Sequence, residues 1–321
     1  MGGDGYTLDT ANLRRAMRRY RDRLAEHRAA LDRLNVFPVP DGDTGTNMVL
    51  TVDAVVAETD RAASLDEFSA ALNGASLAGA GNSGLILSEI LRALAGAVAG
   101  RDGGVASPDL AAGLAEARHA AYRCVGRPVE GTILTVLSAS AAAAGDDGEP
   151  ERLDLFLGRV YAAAADALAA TPTLLPALAE AGVVDAGGAG YLLLLAALLE
   201  EVTGAPVALP DGTLDPAARS PAPRPGAPGP RHGLMLLLDG PEGAGDALRR
   251  AWAGHGESIV VVGGDGTWAC HVHTDDVDGA LDEARAHGRT HRIVIHDLAE
   301  QVETEAARRT GRPARRRRWR R

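Results

Sequence analysis

No lysine occurs anywhere in this 321-residue chain, so all 33 basic side chains are arginines. That excludes the phosphate sites that need a lysine, the Walker-type loop and the kinase strand lysine among them. Any phosphate chemistry must instead use metal ions, backbone amides, arginines or histidines. Aromatic residues make up only 3% of the chain. The two cysteines, Cys124 and Cys270, fall in regions of different character, so a disulfide scaffold is not expected. No window reaches the roughly 18 unbroken apolar residues of a membrane span; "GYLLLLAALLEEV" reads as a fully buried helix. No apolar signal region follows the first basic residues. The net charge of −10 argues against wholesale nucleic-acid binding. Together these absences lead us to expect a reduced, cytoplasmic protein, long enough for two domains with real cores.

The pattern from Thr10 to about Gly204 is almost purely helical. Leu13, Met17, Leu24, Leu31 and Leu34 recur at the spacing of one helix face. Ser64 with Glu67 spells a capping box, and Ser107-Pro108 spells a cap followed by proline at the first helical position. About eight helical segments are expected here, with no strand. Four glycine-bearing breaks interrupt them, "DGDTGTN", "GAGNSG", "PVEGT" and "DAGGAG", each leading into an apolar run. A helix N-terminus carries unpaired N–H groups and partial positive charge, and glycine lets the backbone approach an anion closely. Four such starts at one end of a helical bundle could cradle a polyphosphate without lysine.

After Gly204 the composition shifts. Residues 205–231 are proline-rich and read as a semi-rigid linker. Residues 232–302 alternate strand-like runs ("LMLLLDG", "SIVVVGGDGTWACHVHT", "HRIVIHDL") with helical ones, which predicts a small α/β domain. Residues 303–321 read as a basic, disordered tail.

The strongest chemical signal is "LNVFPVPDGDTGTNM", Leu34 to Met48. Asp41 and Asp43 flank one glycine on what reads as an exposed loop before a helix. Like charges repel, so a cation between them is the natural reading. Magnesium is held by one or two carboxylates plus substrate phosphates, which suits this pair. An EF-hand is excluded, because its twelfth position would be Val52. The competing role is simple capping of the next helix.

At this point four motifs carry a resemblance. "LNVFPVPDGDTGTNM", "GAGNSGLILSEIL", "RPVEGTILTV" and "VDAGGAGYLLL" resemble the signature loops of the DhaL-type nucleotide-binding domain of dihydroxyacetone kinases. The wording of the first is most similar to the bacterial fatty acid kinase ATP-binding subunit. The resemblance, over roughly Thr10 to Gly204 of a domain set at residues 1–204, implies an all-α, eight-helix antiparallel barrel with ATP and Mg2+ at one open end. It implies Asp41 and Asp43 as metal ligands, with Asn35 in the place of a third. Thr44, Gly45, Thr46, Asn47, Asn82, Ser83 and Gly84 would meet phosphate oxygens. Thr132, Asp185, Gly187 and Gly188 would complete the nucleotide pocket. One departure is Ala80, where the family pattern has an arginine.

In the second domain "WACHVHTDD" is similar to a strand of the fatty acid kinase middle domain, where two histidines and an earlier cysteine form a zinc site. Here His271 and His273 share one strand face. The cysteine's place falls at Gly233, leaving His232 as the nearest third ligand. A full zinc site is therefore not expected, and the domain is expected to fold without metal. The family's third domain, which would contact a fatty-acid-binding carrier protein, has no counterpart in this sequence. The resemblance is compatible with a homodimer. The leading functional expectation is an ATP-dependent kinase whose acceptor is a fatty acid carboxylate or a small hydroxy-ketone. The alternative is a nucleotide-binding regulatory or adaptor module without phosphotransfer.

Overall fold

A computed structural model describes residues 7–145, 150–214 and 229–310. The middle of the expected linker, 215–228, and the end of the expected tail, 311–321, lie outside the described residues.

The helical domain is built from α1 (Thr10–Leu34), α2 (Thr44–Thr59), α3 (Leu65–Ala75), α4 (Gly81–Val98), α5 (Ser107–Cys124), α6 (Ile133–Ala144), α7 (Leu153–Leu174), α8 (Pro176–Ala181) and α9 (Ala186–Thr203). The predicted stripe on α1 is the buried one: Leu13, Met17, Leu24, Leu31 and Leu34 are each at most 5% exposed. Period-3.6 apolar spacing leaves a helix no other way to remove that surface from water. α9 is long and apolar enough to cross a membrane by composition, but 67% of it is buried inside the protein. It packs against α1, α6 and α7 as a core helix.

Some starts differ from the sequence reading. Ser64 accepts from the Glu67 N–H at 3.1 Å, as a cap should. Ser107 does not cap α5. Asp109 takes the Ala106 N–H at 2.9 Å, while the Ser107 hydroxyl is tied to Glu151, whose N–H it accepts at 2.7 Å. A two-residue ribbon was also not expected: β1 (Thr7–Leu8) pairs antiparallel with β2 (Val105–Ala106).

The second domain is β3 (His232–Asp239), α10 (Ala244–Ala251), β4 (Glu257–Gly264), β5 (Thr267–Thr274), α11 (Val277–His287), β6 (Arg289–Asp297) and α12 (Leu298–Thr310). Its antiparallel sheet has the order β4-β5-β3-β6. One face, with Leu234, Leu236, Cys270 and Val272, packs on Leu248 and Trp252 of the helical layer. The other turns to the first domain, where Val260, Val262 and Ala269 pack on Leu85 and Cys124. Both cysteines are buried and free.

Two boundaries are corrected. Residues 303–310, read as the start of a disordered tail, continue α12 as helix. The first linker residues are pinned to the helical domain: Val207 donates its N–H to Glu200 at 2.8 Å, and Ala208 accepts from the Tyr161 hydroxyl at 2.8 Å.

Candidate functional site

The four glycine-bearing starts do converge. Thr44 of α2, Asn82 and Ser83 of α4, Thr132 before α6 and Asp185 to Gly187 at α9 all line one cavity of about 310 Å3. A second cavity, of about 320 Å3, adjoins it and holds Asp41, Asp43, Thr46 and Asn47 on one side. Asn35, Thr44, Asn82 and Ser83 border both cavities.

The four helix starts are not equivalent. Thr132 caps α6, accepting the Leu134 N–H at 3.4 Å. Asp185 caps α9, accepting the Gly188 N–H at 2.7 Å. By contrast, neither Asp43 at α2 nor Ala80 at α4 makes a side-chain cap bond. A helix start without a cap keeps N–H groups and positive dipole for an outside anion. Of the four, α2 and α4 are therefore the starts left open to an anion. At α2 the Thr46 N–H is already taken, by Asp32 of α1 at 2.9 Å, and Asp32 also accepts the Thr46 hydroxyl at 2.9 Å. Thr46 is thus an anchored residue and not the phosphate contact expected of it. Nothing in the sequence marked Asp32, an acid in the last turn of α1 outside every motif.

The carboxylate loop is half-buried, contrary to the exposed loop expected. Gly42 sits at φ +70, and the carboxylate carbon of Glu305 on α12 would lie 2.6 Å from any Cβ added there. Burial first, and then the neighbouring Asp43, holds the Asp41 carboxyl well above the usual range. Burial also raises Asp43, opposed by a hydrogen bond from Asn47. Asn35 is the loop's brace. Its Oδ1 accepts the N–H groups of Gly42 at 2.9 Å and Asp43 at 3.2 Å. Its amide nitrogen donates to the carbonyls of Phe37 and Val39. That oxygen is occupied with loop-holding, so the role of third metal ligand is not what its contacts describe. The buried Oδ1 of Asn82 has no partner among the described residues. An unpaired acceptor lining the same cavity as two half-buried carboxylates fits a divalent cation, since desolvating such groups is costly without one.

Three glycines serve packing instead: Gly45 and Gly84, expected at the phosphates, and Gly188, expected in the rest of the nucleotide pocket. None of Gly45, Gly84 and Gly188 lines either cavity. A Cβ at Gly84 would collide with the Thr51 hydroxyl, one at Gly188 would lie 2.8 Å from Val136, and one at Gly45 would strike the Arg28 carbonyl oxygen. Gly187 does line the cavity of Thr132 and Asp185.

The far side of the carboxylate cavity is the second domain: Gly233, Met235, His271, His273, His296, Leu298 and Gln301. Strand register explains this set. Gly233 of β3 pairs with His273 on one side and His296 on the other, so these three share a face. His232, one residue earlier, points to the opposite face and is not the third member that the sequence suggested. His296 is. The His271 and His273 rings meet edge-on with centroids 4.9 Å apart. Both ring nitrogens of His271 and the Nδ1 of His273 are buried without partners among the described residues. Burial lowers the His273 pKa to about 4 and pushes His271 well below the ordinary value, so both imidazoles are neutral. Even so, among the described residues no group of three or more His, Cys, Asp or Glu side chains stands ready to hold a metal ion.

The DAK2 domain profile matches residues 38–200. The chain belongs to the DAK2-domain family. Within this DAK2 protein, residues 232–305 match the FakA-like middle domain of fatty acid kinase. Among its relatives, protein YloV of Bacillus subtilis is 32% identical over 295 residues, covering 87% of this chain and 53% of YloV. An uncharacterized protein of Staphylococcus epidermidis is also 32% identical, with the same two coverages. One from Staphylococcus haemolyticus is 39% identical over 186 residues, 56% of this chain and 33% of that protein. The DAK2 chain therefore spans about half the length of the curated relatives that it matches along most of its own length.

Asp185 supplies a pH prediction. It is 7% exposed, and burial pushes its carboxyl up to about 6 against the amides of Gly188, Ile133 and Gly187. A folded-state pKa above the unfolded one means that the associated stability is full below about pH 4 and is lost as pH rises through about 6. Asp185→Asn keeps an acceptor for Gly188 but removes the charge. Relative to wild type, the variant should gain stability between pH 4 and 7, by at most about 3 kcal/mol. Thermal melts across that range decide it; parallel profiles would overturn the assignment.

Proposed function

We propose that this chain is the ATP-binding, phosphotransferring part of a fatty acid kinase-type system. The observation that carries this reading is the pair of uncapped helix starts, α2 and α4, flanking Asp41 and Asp43 with the unpaired Asn82 oxygen between the two cavities. The base and ribose would occupy the cavity of Thr132 and Asp185, with the phosphates at Thr44, Asn82 and Ser83. Asp41 and Asp43 would hold Mg2+, which when bound neutralises phosphate charge. An eight-helix antiparallel barrel belongs to the same proposal, supported by the packing of successive long helices on one another.

Phosphoryl transfer depends mainly on positioning and charge neutralisation, so no side-chain nucleophile is needed. The N–H groups at the start of α4 would orient the γ-phosphate toward the second domain. A carboxylate oxygen of a fatty acid, delivered by a separate carrier protein, would attack the γ-phosphorus. The bond from that phosphorus to the β–γ bridging oxygen breaks, releasing ADP and an acyl phosphate. The neutral faces of His271 and His273, with His296, would border the acceptor path, and the domain would keep its fold without zinc.

A second reading has its own support. Ala80 stands where the family has an arginine, and Glu305 is packed against the carboxylate loop. Both favour a module that binds nucleotide without turning it over. The test is Mg-ATP turnover by the purified chain with and without a fatty-acid-loaded carrier, alongside metal analysis before and after chelation. Acceptor-dependent ADP release supports the kinase; tight binding without release supports the module. Stoichiometric zinc, lost together with the second domain's fold, would overturn the metal-free reading of that domain.

A further inference from the structure

The cavity assigned above to the base has a wall that the helical domain does not supply. Glu257, Ser258 and Val260 of β4 line it opposite Thr132 and Asp185. β4 is held there by backbone. Val125 forms an antiparallel bridge with Val260, and the Gly126 N–H donates to the Ile259 carbonyl at 2.8 Å.

At this wall β4 is irregular. Glu257 opposes His273 and Val260 opposes His271, so three steps of β4 face two of β5. The extra residue makes a bulge, which takes backbone polar groups out of the ladder. Ser258 within it has φ +54, a left-handed conformation that non-glycine residues hold only where the surroundings demand it. Bulges of this kind re-aim groups beside functional sites. Here the bulge stands at a largely apolar cavity that Glu257 and Ser258 help to line, and an apolar cavity with few polar groups is the pattern by which a flat heterocycle is oriented.

We infer that the second domain is part of the nucleotide site, and that the β4 bulge reads the 6-position of a purine base. The inference rests on the nucleotide reading above. An exocyclic amine donates to the Glu257 carboxylate, which the bulge sets in place, whereas a 6-oxo group would face an acceptor with no proton to offer. The bulge therefore favours adenine over guanine nucleotides. Binding also draws the two domains together across the Val125–Val260 bridge, because the base touches both.

The experiment uses the full chain and measures affinity for Mg-ATP and Mg-GTP in wild type, Glu257→Ala and a variant lacking Ser258, with melting curves for each. Wild type should prefer ATP. Both variants should lose about tenfold in ATP affinity, as one well-placed polar contact is worth, and should bind the two nucleotides alike. Glu257 is exposed, so its variant keeps the wild-type melting temperature and remains informative should the deletion not fold. Wild-type ATP affinity and preference in Glu257→Ala and in a folded deletion variant would overturn the inference while leaving the nucleotide reading intact. A wild-type chain that binds neither nucleotide would instead refute that reading, and the inference with it.

Discussion

Replacing Asp41 by alanine, or Asp43 by asparagine, is expected to abolish Mg2+-dependent ATP binding while leaving the fold as stable as before, or more so. Burial holds both carboxyls above their ordinary range, and Asp43 adds to the rise at Asp41. Removing one relieves a desolvation cost that a bound cation would otherwise offset. Nor does the loop depend on them for its shape: Asn35 holds the N–H groups of Gly42 and Asp43. Loss of a supporting contact alone commonly weakens metal sites by about 10–100-fold, so loss of a ligand should exceed about 100-fold here. Calorimetric titration with ATP, with and without Mg2+, measures the first effect and thermal melting the second. Unchanged affinity in both variants would remove these residues from the metal site. By the same contacts, Asn35→Ala should lower stability as well as affinity, which separates the brace from the ligands.

A second large effect is expected at Gly45, and it is one of stability. A Cβ there would strike the Arg28 carbonyl oxygen and lie 2.8 Å from the Leu31 Cβ. The obstacle is backbone, so α1 and α2 must separate. Overpacking of this kind costs typically 1–3 kcal/mol, a fall in melting temperature of about 2–12 °C for a domain of this size. ATP affinity of the folded variant should stay close to wild type, since Gly45 lines neither cavity. Gly158 in α7 is the control, because nothing lies within 4 Å of a Cβ added there. Gly158→Ala should stabilise by up to about 1 kcal/mol. A Gly45→Ala protein with full stability and weakened ATP binding would restore the phosphate role that its motif suggested.

The contrast between these two sites marks where local pattern is enough. Asp41 and Asp43 were legible because two carboxylates one residue apart create an electrostatic problem wherever the chain goes. Gly45, two residues on, carried an equally suggestive spelling, yet its role depends on a helix that only folding brings against it. The same holds for Thr46, whose amide is taken by Asp32.

The sequence by itself determined the helical class of the first domain, the buried stripe of α1, the paired carboxylates and the four glycine-bearing helix starts. Those features are written in residues close together, through the 3.6-residue period, the turn and the like charge. Tertiary structure decided how the starts divide their work, since a cap bond depends on side-chain geometry and not on the presence of a glycine. It also decided that Glu305 covers Gly42 and that Glu257 and Ser258 close the other cavity. It chose His296 over His232 as well. Alternation along β5 told which histidines share a face. What lies beside them is set by the pairing of β3 with β6, strands separated by the rest of the domain, and no local pattern encodes which of two neighbouring residues that register turns inward.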